Sequence, residues 1–204
     1  MTGTRFDLIV FDFDDTLVKS AGVKRRAFFE IFPPSCEATV GAVLARDPDG
    51  SRHAVIPAML AEAAACGVDT YGLSAEPLIH AYGERVAAGV GIAAEIPLAA
   101  DALRWASEYA SAYIFSMTPH EELLGHIVGR GWEKWIAQAY GFPSRKPEVL
   151  KMLLERHHCA PERALVIGDG ISDAEAARIA ECRYLAAEPS WPLKLMQGLV
   201  DGND

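Results

Sequence analysis

Short apolar runs alternate with amphipathic stretches along most of this chain. The apolar runs predict strands at 6–12, 111–116, 164–168 and 183–187. Helical patterns lie between the later strands, and this alternation is typical of an α/β fold with a parallel sheet. The first run is almost unbroken, as expected for a strand that is buried on both faces of such a sheet. We therefore predict a three-layer, Rossmann-like core.

A different pattern occupies residues 18–96, where no convincing strand is found. Apolar spacing there predicts four helices, at about 22–32, 36–46, 53–66 and 75–89. The sequence thus predicts an all-helical cap domain, 18–96, inserted directly after the first strand. Residues 1–17 and 97–204 would together form the core domain.

Three of the later helices have recognisable starts. Pro119 and Pro147 each suit the first turn of a helix, where the missing N–H has no partner to lose. Ser172 is the expected N-cap of a helix over 173–181.

Composition and charge exclude several classes of function. The net charge of −9 argues against general nucleic-acid binding, which depends on Lys and Arg to neutralise phosphates. The four cysteines are scattered, so no zinc site is expected. No apolar stretch approaches the ~18 residues of a membrane span, and no signal peptide is recognisable. We therefore expect a cytoplasmic protein with no membrane partner.

Three carboxylates crowd the end of the first predicted strand, at Asp12, Asp14 and Asp15. Two like charges about 4 Å apart repel by roughly 4 kcal/mol at an effective dielectric near 20. A cation, a shared proton or a functional reason must offset that cost. The carboxyl end of a parallel strand is also where open α/β sheets bind their ligands.

The pattern around this cluster favours phosphoryl transfer through an aspartyl-phosphate. Asp12 is placed to be the nucleophile, and Asp14 could give a proton to the leaving alcohol and later take one from water. Ser116 ends another apolar strand and could donate to a phosphate oxygen. Lys146 would supply a positive charge for the bound phosphate.

A metal would screen the repulsion between a carboxylate and a phosphate dianion. Asp169 ends a further apolar strand and would give a second metal carboxylate beside Asp12. Asp173, one turn into the next helix, could bind the metal or a metal-bound water. Ligands that are all oxygen atoms suit Mg²⁺.

The site residues fall in four segments, which are 12–16, Ser116, Lys146 and 168–173. In this order they resemble the motifs of the haloacid dehalogenase superfamily. Its phosphatases share an Asp-x-Asp-x-Thr motif, a Ser or Thr, a Lys and an acidic Gly-Asp-x-x-x-Asp motif. The resemblance covers the whole chain and implies Mg²⁺ as cofactor and a small phosphorylated metabolite as substrate. It further implies that Thr16 orients the first loop and that Asp14 also binds the metal through its backbone carbonyl. The helical insert resembles the family's cap that closes over small substrates.

Two features refine this resemblance. An acid at Asp14 favours a phosphatase or phosphomutase over a dehalogenase, which lacks it. Met117 stands in the predicted phosphate-binding segment where many relatives have Asn.

Arg52 is the predicted substrate contact from the cap; the weaker cap candidates are Arg46, His53 and Tyr82.

The expected function is Mg²⁺-dependent hydrolysis of a small phosphomonoester. A phosphomutase acting on a sugar phosphate would use the same core. A phosphonate hydrolase would need a cap lysine, such as Lys24, to form a Schiff base. A receiver-type phospho-acceptor module is the non-enzymatic alternative, although its acceptor normally follows a later strand.

Overall fold

The computed structural model describes residues 6–48 and 50–200. Contacts divide the described chain into two compact units. One is an α/β unit, made of the residues up to Lys19 and from Ala93 onward; the other is a helical unit, Ser20–Ile92. Residues 1–5, Asp49 and 201–204, which belong to the predicted core and cap domains, lie outside the described residues.

The described residues of the helical unit form four α-helices around one apolar cluster. They are α1 (Ala21–Glu30), α2 (Glu37–Arg46), α3 (Arg52–Ala65) and α4 (Ala75–Gly91). Side chains from all four helices form its buried core, which includes Phe28, Val40, Ile56 and Leu78. No strand interrupts the described residues of this unit, as the apolar spacing predicts.

The α/β unit is built on a five-stranded sheet in which every strand pair is parallel. The strands are β1 (Leu8–Phe11), β2 (Ser111–Pro119), β3 (Gln138–Phe142), β4 (Ala164–Gly168) and β5 (Arg183–Ala186). Their order is β3-β2-β1-β4-β5, so β1 is central. The predicted Rossmann-like α/β fold is confirmed.

Strand β3 is the one element of the sheet that the apolar pattern does not predict. It lies at an edge, so it has a neighbour on one side only. Its sequence, Gln-Ala-Tyr-Gly-Phe, buries only Ala139 and Gly141. An edge strand of this kind needs no continuous apolar run, which is why it escapes a search for one.

Helices flank the sheet on both faces. They are α5 (Ala99–Tyr109), α6 (His120–Gly129), α7 (Lys146–His157), α8 (Ile171–Ile179) and α9 (Trp191–Met196). Successive side chains of β1 point to opposite faces. Leu8 and Val10 join a core with residues of α7 and α8. On the other side, the ring of Phe11 packs against Trp191 of α9, with centroids 5.8 Å apart.

The start of α8 differs from its prediction. The helix begins at Ile171 and its N-cap residue is Gly170, so Ser172 lies inside the first turn and is not the cap. The carboxylate of Asp173 instead accepts a hydrogen bond from the N–H of Gly170, at 3.1 Å. An acid three residues after the cap can satisfy that N–H without any side chain at the cap position.

Among the described helices, none combines the length and the apolar character that crossing a membrane requires.

Candidate functional site

The carboxyl ends of β2, β1 and β4 lie side by side and define one edge of the sheet. Phe11, at the end of β1, pairs with Ile114 of β2 and with Ile167 of β4. Asp12 directly follows β1, and Asp169 directly follows β4. Two of the predicted site residues therefore leave neighbouring strands at the same edge.

Lys146 brings a positive charge into this edge from the first turn of α7. Its Nζ donates to Oδ1 of Asp12 at 2.7 Å and to Oδ1 of Asp173 at 2.6 Å. The side chain is only 6% exposed, and Nζ lies 5.0 Å from the centre of the Phe115 ring. Lys146 thus links a carboxylate of β1 to a carboxylate of α8, inside the protein.

The electrostatics of this cluster are dominated by burial. Asp12 is 4% exposed, and burial raises its pKa to about 8, with the charges of Asp173 and Asp14 adding to the effect and Lys146 opposing it. Burial alone would lower the pKa of Lys146, but the charges of Asp12 and Asp173 raise it. One lysine therefore keeps its charge but does not fully compensate the carboxylates around it.

Asp12, Asp169 and Asp173 could hold a divalent cation. One carboxylate oxygen from each lies within 4.8 Å of the others. Three carboxylate ligands form the hard, all-oxygen donor set that Mg²⁺ prefers. A second positive charge at this place would also relieve the imbalance that raises the pKa of Asp12. The residues therefore fit such an ion.

Thr16 belongs to the same edge through a contact with Asp169. The Thr16 side chain is buried, and its Oγ1 donates to Oδ1 of Asp169 at 3.2 Å. Residue Asp15, just before it, has a left-handed backbone (φ 53°), a conformation that Asp tolerates better than most residues. Its N–H donates to the carbonyl of Val18 at 2.7 Å, which closes the loop after β1.

The side chain of Asp14 points towards the end of β2. Its Oδ2 accepts hydrogen bonds from Oγ of Ser116 at 3.1 Å and from Oγ1 of Thr118 at 2.7 Å. The sequence predicts Asp14 and Ser116 as site residues but not Thr118. A signal was present, because two hydroxyl residues at i and i+2 of a strand lie on the same face.

Met117 and Arg52 are the two remaining predicted contacts. Met117 lies between Ser116 and Thr118, and its side chain is 59% exposed. Arg52 begins α3 of the helical unit, where its guanidinium lies 5.9 Å from the centre of the Tyr82 ring. Arg46, a weaker candidate, forms an exposed ion pair with Glu62 at 2.6 Å.

Comparison with known proteins gives a family and a set of similar structures. The family model for haloacid dehalogenase-like hydrolases matches residues 6–181. A search among curated proteins finds no match. Many solved structures are similar, three of which illustrate the range.

A protein from Thermotoga maritima that is assigned as a β-phosphoglucomutase has a TM-score of 0.71 and 17% identity, covering 95% of this chain and 98% of that one. A predicted phosphoglycolate phosphatase from Haemophilus somnus has a TM-score of 0.67 and 18% identity, covering 90% and 85%. A haloacid dehalogenase-type hydrolase from Bacillus subtilis, solved with bound magnesium, has a TM-score of 0.66 and 16% identity, covering 89% and 86%. At these identities the likeness shows the fold alone.

The family model covers most of the chain and includes every residue of the acidic edge described above. This protein therefore belongs to the haloacid dehalogenase-like hydrolase family.

Proposed function

We propose that this protein is a Mg²⁺-dependent phosphatase that hydrolyses a small phosphomonoester through an aspartyl-phosphate. The observation that carries the proposal is the buried arrangement of Asp12, Lys146 and Asp173, with Asp169 within reach of the same cation. Burying these charges together costs free energy of folding. Clusters of buried, perturbed charges of this kind concentrate at functional sites.

Phosphate binding uses a positive charge and hydrogen-bond donors. Lys146 supplies the charge, and Ser116 supplies a hydroxyl. The thioether of Met117 has no proton to donate, so Met117 would contribute through its backbone N–H. Thr16 would orient the carboxylate of Asp169 through its hydrogen bond to Oδ1.

The first chemical step transfers the phosphoryl group to Asp12. A carboxylate oxygen of Asp12 attacks phosphorus, the bond from phosphorus to the ester oxygen breaks, and Asp14 gives its proton to that oxygen. The alcohol leaves, and Asp14 is now ionised. In the second step Asp14 takes a proton from water as the water oxygen attacks phosphorus. The bond from Asp12 to phosphorus breaks, which releases phosphate and restores the enzyme.

Asp12, Asp169 and Asp173 would hold the metal, together with the backbone carbonyl of Asp14. When bound, Mg²⁺ screens the repulsion between the nucleophile and the phosphate and stabilises charge on the transferred group. The magnesium in the Bacillus subtilis hydrolase supports this choice of ion.

We also propose that the helical unit serves as the cap domain of this enzyme. Its role would be to bind the leaving group and to exclude bulk water during turnover. Arg52 is the proposed contact, because no carboxylate of the described residues pairs with it and its guanidinium lies over the ring of Tyr82. Such an arginine, with no ion pair to a described carboxylate, would suit a substrate that carries a second anionic group.

The decisive experiment replaces the nucleophile and uses a neighbouring acid as control. Asp12→Asn should lower turnover of 4-nitrophenyl phosphate by at least about 10³-fold, because the amide cannot form the covalent intermediate. Asp15→Asn changes the same charge in the same loop, and Asn also tolerates its left-handed backbone. That control should keep activity within a few-fold of wild type.

Wild-type-like turnover by Asp12→Asn would refute the mechanism. Reactions with and without Mg²⁺ test the metal, since chelation should abolish activity and Mg²⁺ should restore it. Product analysis with a sugar phosphate distinguishes phosphatase activity from phosphomutase activity. Inorganic phosphate identifies a phosphatase, whereas an isomeric sugar phosphate identifies a mutase.

A further inference from the structure

Thr118 contacts the site through its hydroxyl, at a place that neither the motifs nor the proposed roles explain. Its Oγ1 donates to Oδ2 of Asp14 at 2.7 Å. Its backbone N–H donates separately to Oγ of Ser116, at 3.0 Å. The two bonds are made by different groups, so the side chain of Thr118 can be changed while the backbone bond remains.

The Ser116 hydroxyl cannot donate to Asp14 and to the phosphate at once. A hydroxyl has one proton to donate, and in this structure Ser116 donates it to Asp14, at 3.1 Å. If Ser116 binds phosphate, as the proposed function requires, that proton turns to a phosphate oxygen. Thr118 can then keep its own hydrogen bond to Asp14 while substrate is bound.

The bond from Thr118 also limits how the carboxyl group of Asp14 can rotate, because it ties Oδ2 to the end of β2. At 2.7 Å this hydroxyl-to-carboxylate bond has the usual length of a well-formed O–H···O hydrogen bond, so it favours one orientation of the carboxyl group. Proton transfer to a leaving oxygen depends on such orientation.

We infer that Thr118 is the positioning residue for Asp14, which orients its carboxyl group for proton transfer during turnover. This inference rests on the proposed function, in which Asp14 is the acid and base. Thr118 acts through Asp14, so its removal should matter most when the leaving group needs a proton.

Two aryl phosphates of similar shape separate this role from simple binding. The nitrophenolate of 4-nitrophenyl phosphate leaves readily without a proton, whereas the phenolate of phenyl phosphate is a poorer leaving group. Thr118→Val keeps the shape of the side chain but removes the donor. We expect it to lower kcat/KM for phenyl phosphate about 10-fold more than for 4-nitrophenyl phosphate. Thr118→Ser keeps the donor and should retain the wild-type ratio of the two values.

A double-mutant cycle tests whether the effect passes through Asp14. Asp14→Asn should itself lower the ratio of kcat/KM for phenyl phosphate to kcat/KM for 4-nitrophenyl phosphate. Adding Thr118→Val to Asp14→Asn should change this ratio no further. Thermal unfolding midpoints of all variants check folding, and Thr118→Ala serves as a second variant if Thr118→Val does not fold.

The inference is overturned if Thr118→Val lowers kcat/KM equally for the two aryl phosphates, or if Thr118→Ser does not keep the wild-type ratio of these two kcat/KM values. It is also overturned if Asp14→Asn and Thr118→Val lower that ratio additively. Failure of the proposed function looks different. In that case the wild-type protein would hydrolyse neither aryl phosphate with Mg²⁺ present, and the role of Thr118 would fall with it.

Discussion

The position of Lys146 shows how closely charge is balanced at the level of single residues. Its ammonium group lies between two buried carboxylates, those of Asp12 and Asp173. Removing one member of a buried ionic group leaves the others in low dielectric without a partner. We therefore expect Lys146 to support the fold of the metal-free protein, in addition to its proposed role in binding phosphate.

Lys146→Met should destabilise the protein by about 3 kcal/mol or more in the presence of chelator, because buried Asp173 loses its cation and buried Asp12 loses its hydrogen-bond donor. Urea unfolding at neutral pH measures the change. Arg145→Met is the matched control, since Arg145 is 76% exposed and its one ion pair among the described residues is with exposed Glu148, at 3.3 Å. Such a surface pair is worth about 0–1 kcal/mol. Equal losses in the two variants would contradict the role assigned to Lys146.

Sequence order predicts much of the residue-level geometry, for a physical reason. Acids that directly follow neighbouring parallel strands must meet at one edge, so Asp12 and Asp169 can be paired from the pattern alone. The structure places them there with Asp173 and Lys146. The spacing of Ser116 and Thr118 predicts a shared face, but the contact of Thr118 with Asp14 also depends on how the irregular end of β2 turns, which the spacing does not contain.

At the level of elements, the junction between β4 and α8 is the tightest part of the site. A Cβ atom at Gly168 would lie 2.3 Å from Cγ of Asp173. The carboxylate of Asp173 also caps its own helix through the N–H of Gly170. Close packing of strand and helix therefore fixes the position of a proposed metal ligand.

Gly168→Ala should force Asp173 away from this position. We expect a loss of about 1–3 kcal/mol in the free energy of unfolding, as for other overpacked sites, together with weaker Mg²⁺ binding. Gly125→Ala is the control. Gly125 is an exposed residue of α6, where a Cβ meets nothing within 4 Å. Alanine there should stabilise by about 0.5–1 kcal/mol, because it favours the helix. A neutral Gly168→Ala variant with unchanged Mg²⁺ affinity would contradict the argument.

The same scale shows why some elements could be predicted and others could not. Strands β1 and β4 are buried along their whole length and have continuous apolar sequences. Strand β3 has one neighbour and a mixed sequence, so its place depends on pairing with β2, which a local pattern does not contain. The start of α8 was misplaced because glycine at the cap gives no side-chain signal.

At the scale of the whole molecule, stability and function make opposite demands on one buried acid. Folding places Asp12 where its carboxylate is poorly solvated and close to other acids, which raises its pKa from 3.8 to about 8. The same placement shields the proposed nucleophile from bulk water. The fold therefore carries a cost at neutral and alkaline pH that a bound cation would relieve.

The direction in which folding shifts the pKa of Asp12 determines how the free energy of unfolding depends on pH. An acid whose pKa is raised on folding binds its proton more tightly in the folded state, so the free energy of unfolding falls as the pH rises. For Asp12 the window runs from the unfolded value, 3.8, to the folded value, about 8. Below this window the contribution of the protonated acid is fully present, and above it that contribution is lost.

Asp12→Asn should therefore be more stable than the wild type at pH 8 in the presence of chelator, even though it is inactive. The amide resembles the protonated acid and cannot ionise, so the difference in unfolding midpoint should shrink as the pH falls towards about 5. Mg²⁺ binds only the folded protein and should raise the wild-type midpoint at pH 8, and it should raise that of Asp12→Asn less, because one ligand is lost. A gap between wild type and Asp12→Asn that stays constant across this window would show that Asp12 is already ionised in the metal-free protein, and that Lys146 alone is enough to balance it.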